Sequence, residues 1–217
     1  MTTIASVRGV IFDLDGTLAD TFPVIFAAFR HAFAIYADRH LSDHEIEAMF
    51  GPNEEGCIRK ALPNNWEPCL AEYLKEYERV HDLCPGPFPG VIEMLDWLKS
   101  RDVPVAIVTG KGAQSAAISL RHLGLSGHFT IVKSGSPEGS IKPQAIREVL
   151  EEWGMPPADA VYVGDAPSDV TAAREVGVRV LGAAWANSSD AAKIEAMAPD
   201  ALLRSVGELR DWLAGAI

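Results

Sequence analysis

The sequence predicts an α/β fold, a doubly wound parallel sheet with a helical domain inserted into it. Three observations carry that prediction. Short apolar runs rich in β-branched residues recur at residues 7–12, 103–108, 129–132, 160–163 and 178–181, each bounded by Gly, Asp, Pro or Ser. Helix-length segments separate the later runs, at residues 91–99, 113–123, 143–153 and 169–176. Between residues 22 and 81 the alternation stops, and helix patterns follow one another without a convincing strand. Strands joined by helix-length connectors pair in parallel through right-handed crossovers, which gives a Rossmann-like core.

The elements follow in order. Residues 7–12 form a continuous apolar run cut off by Asp13, the pattern of a strand buried on both faces. In the inserted stretch, Phe22, Ile25, Phe26, Phe29, Phe33 and Tyr36 make a stripe at helical spacing, with Asp20 or Thr21 as the expected N-cap. Ser42 with Glu45 three residues on has the spacing of a capping box and starts a second helix reaching about Phe50. Gly51-Pro52 breaks it. Asn53 or Glu54 starts a third helix through Leu62, and residues 66–81 form a fourth. The run Pro85-Gly86-Pro87-Phe88-Pro89-Gly90 is a stiff return linker. Val91, Met94, Leu95 and Leu98 then fall on one helix face. Near the C-terminus, residues 201–203 are expected to add an edge strand before a last helix at 206–214. The expected division is a core of residues 1–19 and 85–217 around a helical domain of residues 20–84.

Composition excludes several classes of function. The chain has 217 residues, 48% hydrophobic, with 19 basic and 30 acidic side chains and a net charge of −11. That length supports a substantial core, and the acidic balance argues against a nucleic-acid partner or an anionic membrane surface. Cys57, Cys69 and Cys84 contain no C-x-x-C pair, so reduced thiols are expected rather than a disulfide framework or zinc site. No apolar run approaches the roughly 18 residues of a membrane span, and residues 1–8 lack a signal pattern. The expectation is a soluble, cytoplasmic protein. The six histidines show no ligand spacing, and none is given a role.

Four short motifs lie at strand ends. Asp13-Leu14-Asp15-Gly16-Thr17 follows the first strand. Alternation sends Asp13 and Asp15 to one side of an extended chain, where two carboxylates suit a divalent cation or a nucleophile beside an acid. Asx-turn chemistry is the alternative. Thr109-Gly110-Lys111 offers a hydroxyl and backbone N–H groups to phosphate oxygens, or is an ordinary turn. Lys142-Pro143 opens a helix, and its lysine either reaches into the crevice or lies in solvent. Gly164-Asp165-Ala166-Pro167-Ser168-Asp169 follows another strand, where its acids can share a metal with Asp13 or Asp169 can simply cap the next helix. Each motif alone is weak. Together they place a nucleophile, an acid, a phosphoryl-oxygen donor, a positive charge and metal ligands on one rim, which is what phosphoryl transfer needs.

With those residues in view, the chain resembles the haloacid dehalogenase superfamily over essentially its whole length, and within it the phosphoglycolate-phosphatase-like phosphatases. The family pattern D-x-D-G-T matches Asp13 to Thr17, and the strand-end threonine matches Thr109. The lysine before proline matches Lys142, and G-D-x-x-x-D runs from Gly164 to Asp169. The helical insert resembles the family's small α-helical cap.

The resemblance implies a Mg²⁺-dependent phosphatase acting on a small phosphorylated metabolite. Asp13 would attack phosphorus, and Asp15 would protonate the leaving alcohol and later activate water. Mg²⁺ would be held by Asp13, Asp165 and the backbone carbonyl of Asp15, with Asp169 as a ligand or behind one. Thr109, Gly110 and Lys142 would hold transferring oxygens, with Lys142 also neutralising Asp13 and Gly16 shaping the loop. Dehalogenases and phosphonoacetaldehyde hydrolases of the same fold depart at the second motif acid, so Asp15 speaks against both. A β-phosphoglucomutase keeps both acids and is the alternative. A non-catalytic binding protein on the same fold is disfavoured because every one of these groups is present. Substrate choice is expected to fall to the insert. The Gly51-Pro52 break is a candidate specificity loop, and Arg59 or Lys60 either meets an anionic substrate or lies on a solvated helix face.

Overall fold

The computed structural model describes residues 6–217, so most of the 1–8 segment lies outside the described residues. Six parallel strands form one sheet: β1 (Gly9–Phe12), β2 (Val105–Val108), β3 (Ile131–Lys133), β4 (Ala160–Gly164), β5 (Arg179–Ala183) and β6 (Ala201–Leu203). Their order is β3-β2-β1-β4-β5-β6. Phe12 of β1 is in register with Ile107 on one side and Val163 on the other. The chain winds outward from β1 through β2 to β3, then crosses back to β4. The crevice beyond the carboxyl ends of β1 and β4 is therefore a topological switch point, the place where open α/β sheets bind ligands.

Both faces of the sheet are covered. Val10 and Phe12 of β1 join one buried cluster, while Ile11 between them joins the other, the period-2 consequence of a doubly covered strand. On the Ile11 side pack α7 (Lys142–Trp153), α8 (Pro167–Val176) and α9 (Ala191–Ala196). On the opposite side lie α5 (Val91–Lys99), α6 (Ala113–His122) and α10 (Val206–Ala214), and there the cluster runs on into the insert.

The insert between β1 and α5 is entirely helical: α1 (Phe22–Ala37), α2 (Asp43–Glu47), α3 (Glu54–Ala61), α4 (Trp66–Arg79) and a 3-10 turn, His81–Leu83. The apolar stripe of α1 packs on α4, with Phe29 and Tyr73 rings 4.7 Å apart. Ser42 and Glu45 form the expected capping box. Asn53 caps α3 by accepting from the Gly56 N–H.

Several boundaries differ from expectation. The strand expected at 129–132 begins at Ile131, because Phe129 is an anchor packed edge-on against Phe12 at 6.4 Å. The second insert helix stops at Glu47, short of Phe50. The fourth ends at Arg79, and His81 belongs to the following turn. Thr21 stands at the N-cap position of α1 without making a side-chain cap bond. Helix α8 starts at Pro167, so Asp169 sits inside its first turn and is not the N-cap. Helix α9 was not expected at all; its six residues are too few to show a periodicity.

Candidate active site

The rim motifs converge because strand ends converge. The Asp13 N–H continues the β1–β4 ladder to the Val163 carbonyl, and the Thr109 N–H continues β2–β3 to the Lys133 carbonyl. Each motif therefore begins where its strand's hydrogen bonding ends. Gly16 makes the first loop possible. Its φ is +73°, and a Cβ there would overlap the Asp165 carboxylate. Thr17 locks the same contact by donating its hydroxyl to Asp165 Oδ1 at 3.2 Å, and the half-buried Trp185 indole donates to the Thr17 carbonyl at 3.0 Å.

Lys142 reaches the crevice. Its Nζ lies 2.7 Å from Asp13 Oδ2 and also bonds Asp169 Oδ1. Burial works against its charge, but Asp13 and Asp169 hold it protonated well above the ordinary lysine range. Asp13 Oδ1 accepts the Leu14 N–H at 2.7 Å. Asp169 is fully buried and fully bonded. Besides Lys142 it accepts the Tyr162 hydroxyl at 3.2 Å and the Ala166 N–H at 3.0 Å.

Asp15 occupies a different environment. Its Oδ1 accepts the Thr21 hydroxyl and lies 3.2 Å from Lys111 Nζ. Burial raises its pKa, as does the charge of Asp13, while Lys111 and Thr21 pull the other way. Lys111 is itself buried and sits 4.6 Å from the centre of the Tyr77 ring. In the sequence Lys111 stands only as the last residue of a turn motif, with no role of its own. The signal was its place two residues beyond Thr109, but its partner Asp15 is remote in sequence.

Asp13, Asp165 and Asp169 each offer a carboxylate oxygen, and these lie within 4.8 Å of one another. Burial, with the charges of Asp13 and Asp169, raises the Asp165 pKa well above the carboxylate range. Crowded hard oxygen donors with one lysine among them fit a small divalent cation, which would relieve that repulsion. Asp15 stands outside the group of three carboxylates, and Asp169 within it is already bonded by Lys142, Tyr162 and the Ala166 N–H.

A pocket of about 220 Å³ opens on this rim. Asp13, Asp15, Thr109, Gly110, Lys142 and Asp165 line its floor, so six of the residues singled out in the sequence meet there. The insert forms its roof, with Gly51 and Pro52 among the lining residues. Arg59 and Lys60 do not line it. Both are exposed, and Arg59 pairs with Glu55 and Glu138 and stacks over Trp66, so of the two alternatives the structure shows the solvated helix face. Asn53 and Glu54 hold the roof down. Asn53 donates its amide to the Gly135 carbonyl at 3.1 Å, and Glu54 accepts the Gly112 N–H at 2.8 Å and the Ser115 hydroxyl. Neither signalled this role in the sequence beyond helix capping.

A family model for haloacid dehalogenase-like hydrolases matches residues 10–183, a span holding every rim motif. The chain belongs to that family. Among its relatives, a phosphoglycolate phosphatase from Neisseria meningitidis is 29% identical, aligned over 97% of this chain and 95% of its own length. The pyrophosphatase PpaX of Halalkalibacterium halodurans is 27% identical over 94% and 96%. A solved haloacid dehalogenase-like hydrolase from Streptococcus pneumoniae is 26% identical and superposes with a TM-score of 0.77, covering 98% of this chain and 99% of its own. Among the described residues no helix is long and apolar enough to cross a membrane, and all three cysteines are free and buried.

Proposed function

We propose that this phosphatase of the haloacid dehalogenase-like family hydrolyses a small phosphate monoester through an aspartyl-phosphate on Asp13. The supporting observation is the contrast between two carboxylates one residue apart. Both are paired with a buried lysine, Asp13 with Lys142 and Asp15 with Lys111, but Asp13 lies within the group of three carboxylates, while Asp15 stands outside it, where burial and the charge of Asp13 raise its pKa against the pull of Lys111 and Thr21. Neighbouring acids with divergent environments divide the roles of nucleophile and acid between them.

In the first step an Asp13 carboxylate oxygen bonds to phosphorus as the ester P–O bond breaks. Asp15 gives its proton to the departing alkoxide oxygen. In the second step Asp15 takes a proton from water, whose oxygen bonds to phosphorus as the Asp13–phosphorus bond breaks. Phosphate leaves and both acids are regenerated. Thr109, Gly110 and Lys142 orient the transferring oxygens, and Lys142 also holds Asp13 in place. Lys111 and Thr21 hold Asp15 toward the pocket. Mg²⁺, held by Asp13 and Asp165 with the Asp15 backbone carbonyl and braced by Asp169, would neutralise the repulsion between carboxylate and phosphate dianion.

The accompanying division is a core of residues 1–19 and 85–217 beneath a cap of residues 20–84, and a cytoplasmic location fits the composition. The phosphosugar-mutase alternative is less well supported. A mutase must hold an intermediate phosphorylated at both ends, and among the described residues no lysine, arginine or histidine of the insert lines the pocket to meet the second phosphoryl group. Steady-state phosphate release from p-nitrophenyl phosphate and 2-phosphoglycolate, with Mg²⁺ and with EDTA, tests the reading. Release abolished by EDTA and by Asp13→Asn is expected. Full turnover by Asp13→Asn would overturn the nucleophile assignment.

A further inference from the structure

The pocket has two unlike walls. The rim brings Asp13, Asp15 and Asp165 together with Lys111 and Lys142, and both lysines are already engaged with aspartates. The roof brings Phe22, Ile25 and Phe29 of α1, Phe50 ahead of the Gly51-Pro52 turn, and Tyr73 of α4. Cys57 also faces inward, its thiol pushed up to about 12 by burial and by the charge of Glu54, so it is a neutral wall group. No lysine, arginine or histidine of the insert is among the lining residues. The roof's one charge is negative. Glu54 is buried, bonded to a backbone N–H and a hydroxyl, and without a cationic partner among the described residues.

A leaving group carrying its own anion would thus meet apolar rings and a carboxylate, while the two lysines that line the rim are already held by aspartates, Lys111 by Asp15 with Glu54 also acting on its charge, and Lys142 by Asp13 and Asp169. Burying such a charge unpaired is costly, and Glu54 adds repulsion across a low-dielectric space. Apolar groups gain by the same burial. The volume lies below the roughly 300 Å³ at which pockets for drug-sized ligands begin, so the group is small.

We infer that the site takes phosphate monoesters of small, uncharged and predominantly apolar alcohols, and that its roof selects against a second anionic group on the substrate. This rests on the phosphatase reading and narrows it. Phosphoglycolate and pyrophosphate, which appear in the names of the relatives, each carry such a second anion.

The test is calorimetric binding of two non-hydrolysable phosphonates in the presence of Mg²⁺: benzylphosphonate, uncharged beyond its phosphoryl group, and phosphonoacetate, which adds a carboxylate. Benzylphosphonate is expected to bind at least about tenfold more tightly, about 1.4 kcal/mol. Equal or tighter binding of phosphonoacetate would overturn the inference. Phe50 is 42% exposed, so Phe50→Arg should fold and place a cation on the roof; it is expected to narrow the gap at least about fivefold. A folded variant with an unchanged gap would overturn the assignment to this wall. Turnover of benzyl phosphate and 2-phosphoglycolate is measured alongside. Failure to hydrolyse either, with the binding preference intact, would reject the phosphatase reading and leave the selection standing.

Discussion

The floor and roof of the pocket are built on opposite principles. On the floor nearly every polar atom is committed to another: Lys142 bridges Asp13 and Asp169, Thr17 holds Asp165, and Lys111 and Thr21 hold Asp15. The roof offers aromatic and aliphatic surface, and of its pocket-lining residues Asn53 and Glu54 hydrogen-bond the floor's neighbours. A densely bonded floor fixes reacting atoms to within a fraction of an ångström, which chemistry requires. A sparsely bonded roof can change its side chains without disturbing that geometry. On the proposed function, the difference gives reaction to one wall and selection to the other.

Removing a floor group should therefore do far more damage than altering the roof. Asp13→Asn is expected to lower kcat by about a thousandfold or more with little loss of folding, read by phosphate release and circular dichroism. Lys142→Met should cost both activity and about 3–5 kcal/mol of stability in denaturant titration, because Asp13 and Asp169 lose a buried partner. Unchanged stability would mean the acids find compensation elsewhere. Glu54→Ala should cost about 1–2 kcal/mol and raise KM more than it lowers kcat, since it removes a contact between roof and floor. A kcat loss as large as that of Asp13→Asn would erase the contrast between the walls.

The smallest expected effect lies behind the roof. His81 bonds Ser119 at 3.2 Å and stacks on His122, and burial lowers its pKa to about 4. Its folded pKa is below its unfolded value, so its contribution is present above about pH 6.5 and is lost as pH falls toward 4. The loss should be on the order of 1 kcal/mol once solvent screening is allowed for. Comparing the pH dependence of stability in the native chain and in His81→Phe isolates it from the carboxylates. Identical slopes would mean that His81 is free to charge in the folded protein.

What the sequence made legible follows from the range of the interactions involved. Helices α5 and α10 matched their expected bounds because an apolar face and its flanking breaks lie within a few residues. The rim aspartates were legible because they directly follow apolar runs, and strand ends in a parallel sheet share one edge. The pairing of Lys111 with Asp15, and of Glu54 with Ser115, joins residues far apart in the chain, and no local pattern announces it. Arg59 and Lys60 stayed ambiguous for the same reason. Charge type is local information, but the direction a helix face points depends on what the helix packs against. Thr21 had the right identity for a cap and was recruited instead by a carboxylate that also needed a donor.

The sheet order also governs when the site can exist during synthesis. Asp13 directly follows strand β1, which lies between β2 and β4, with Phe12 paired to Val163. A nascent chain emerging from the ribosome can form the helices of the insert from local contacts, but β1 keeps one edge open until β4 has been made. Asp165 and Asp169 arrive with that same segment. A chain truncated after β3 would thus have an unpaired central strand and no acid partners for Asp13, so the reactive centre and the last central sheet pairing are completed together.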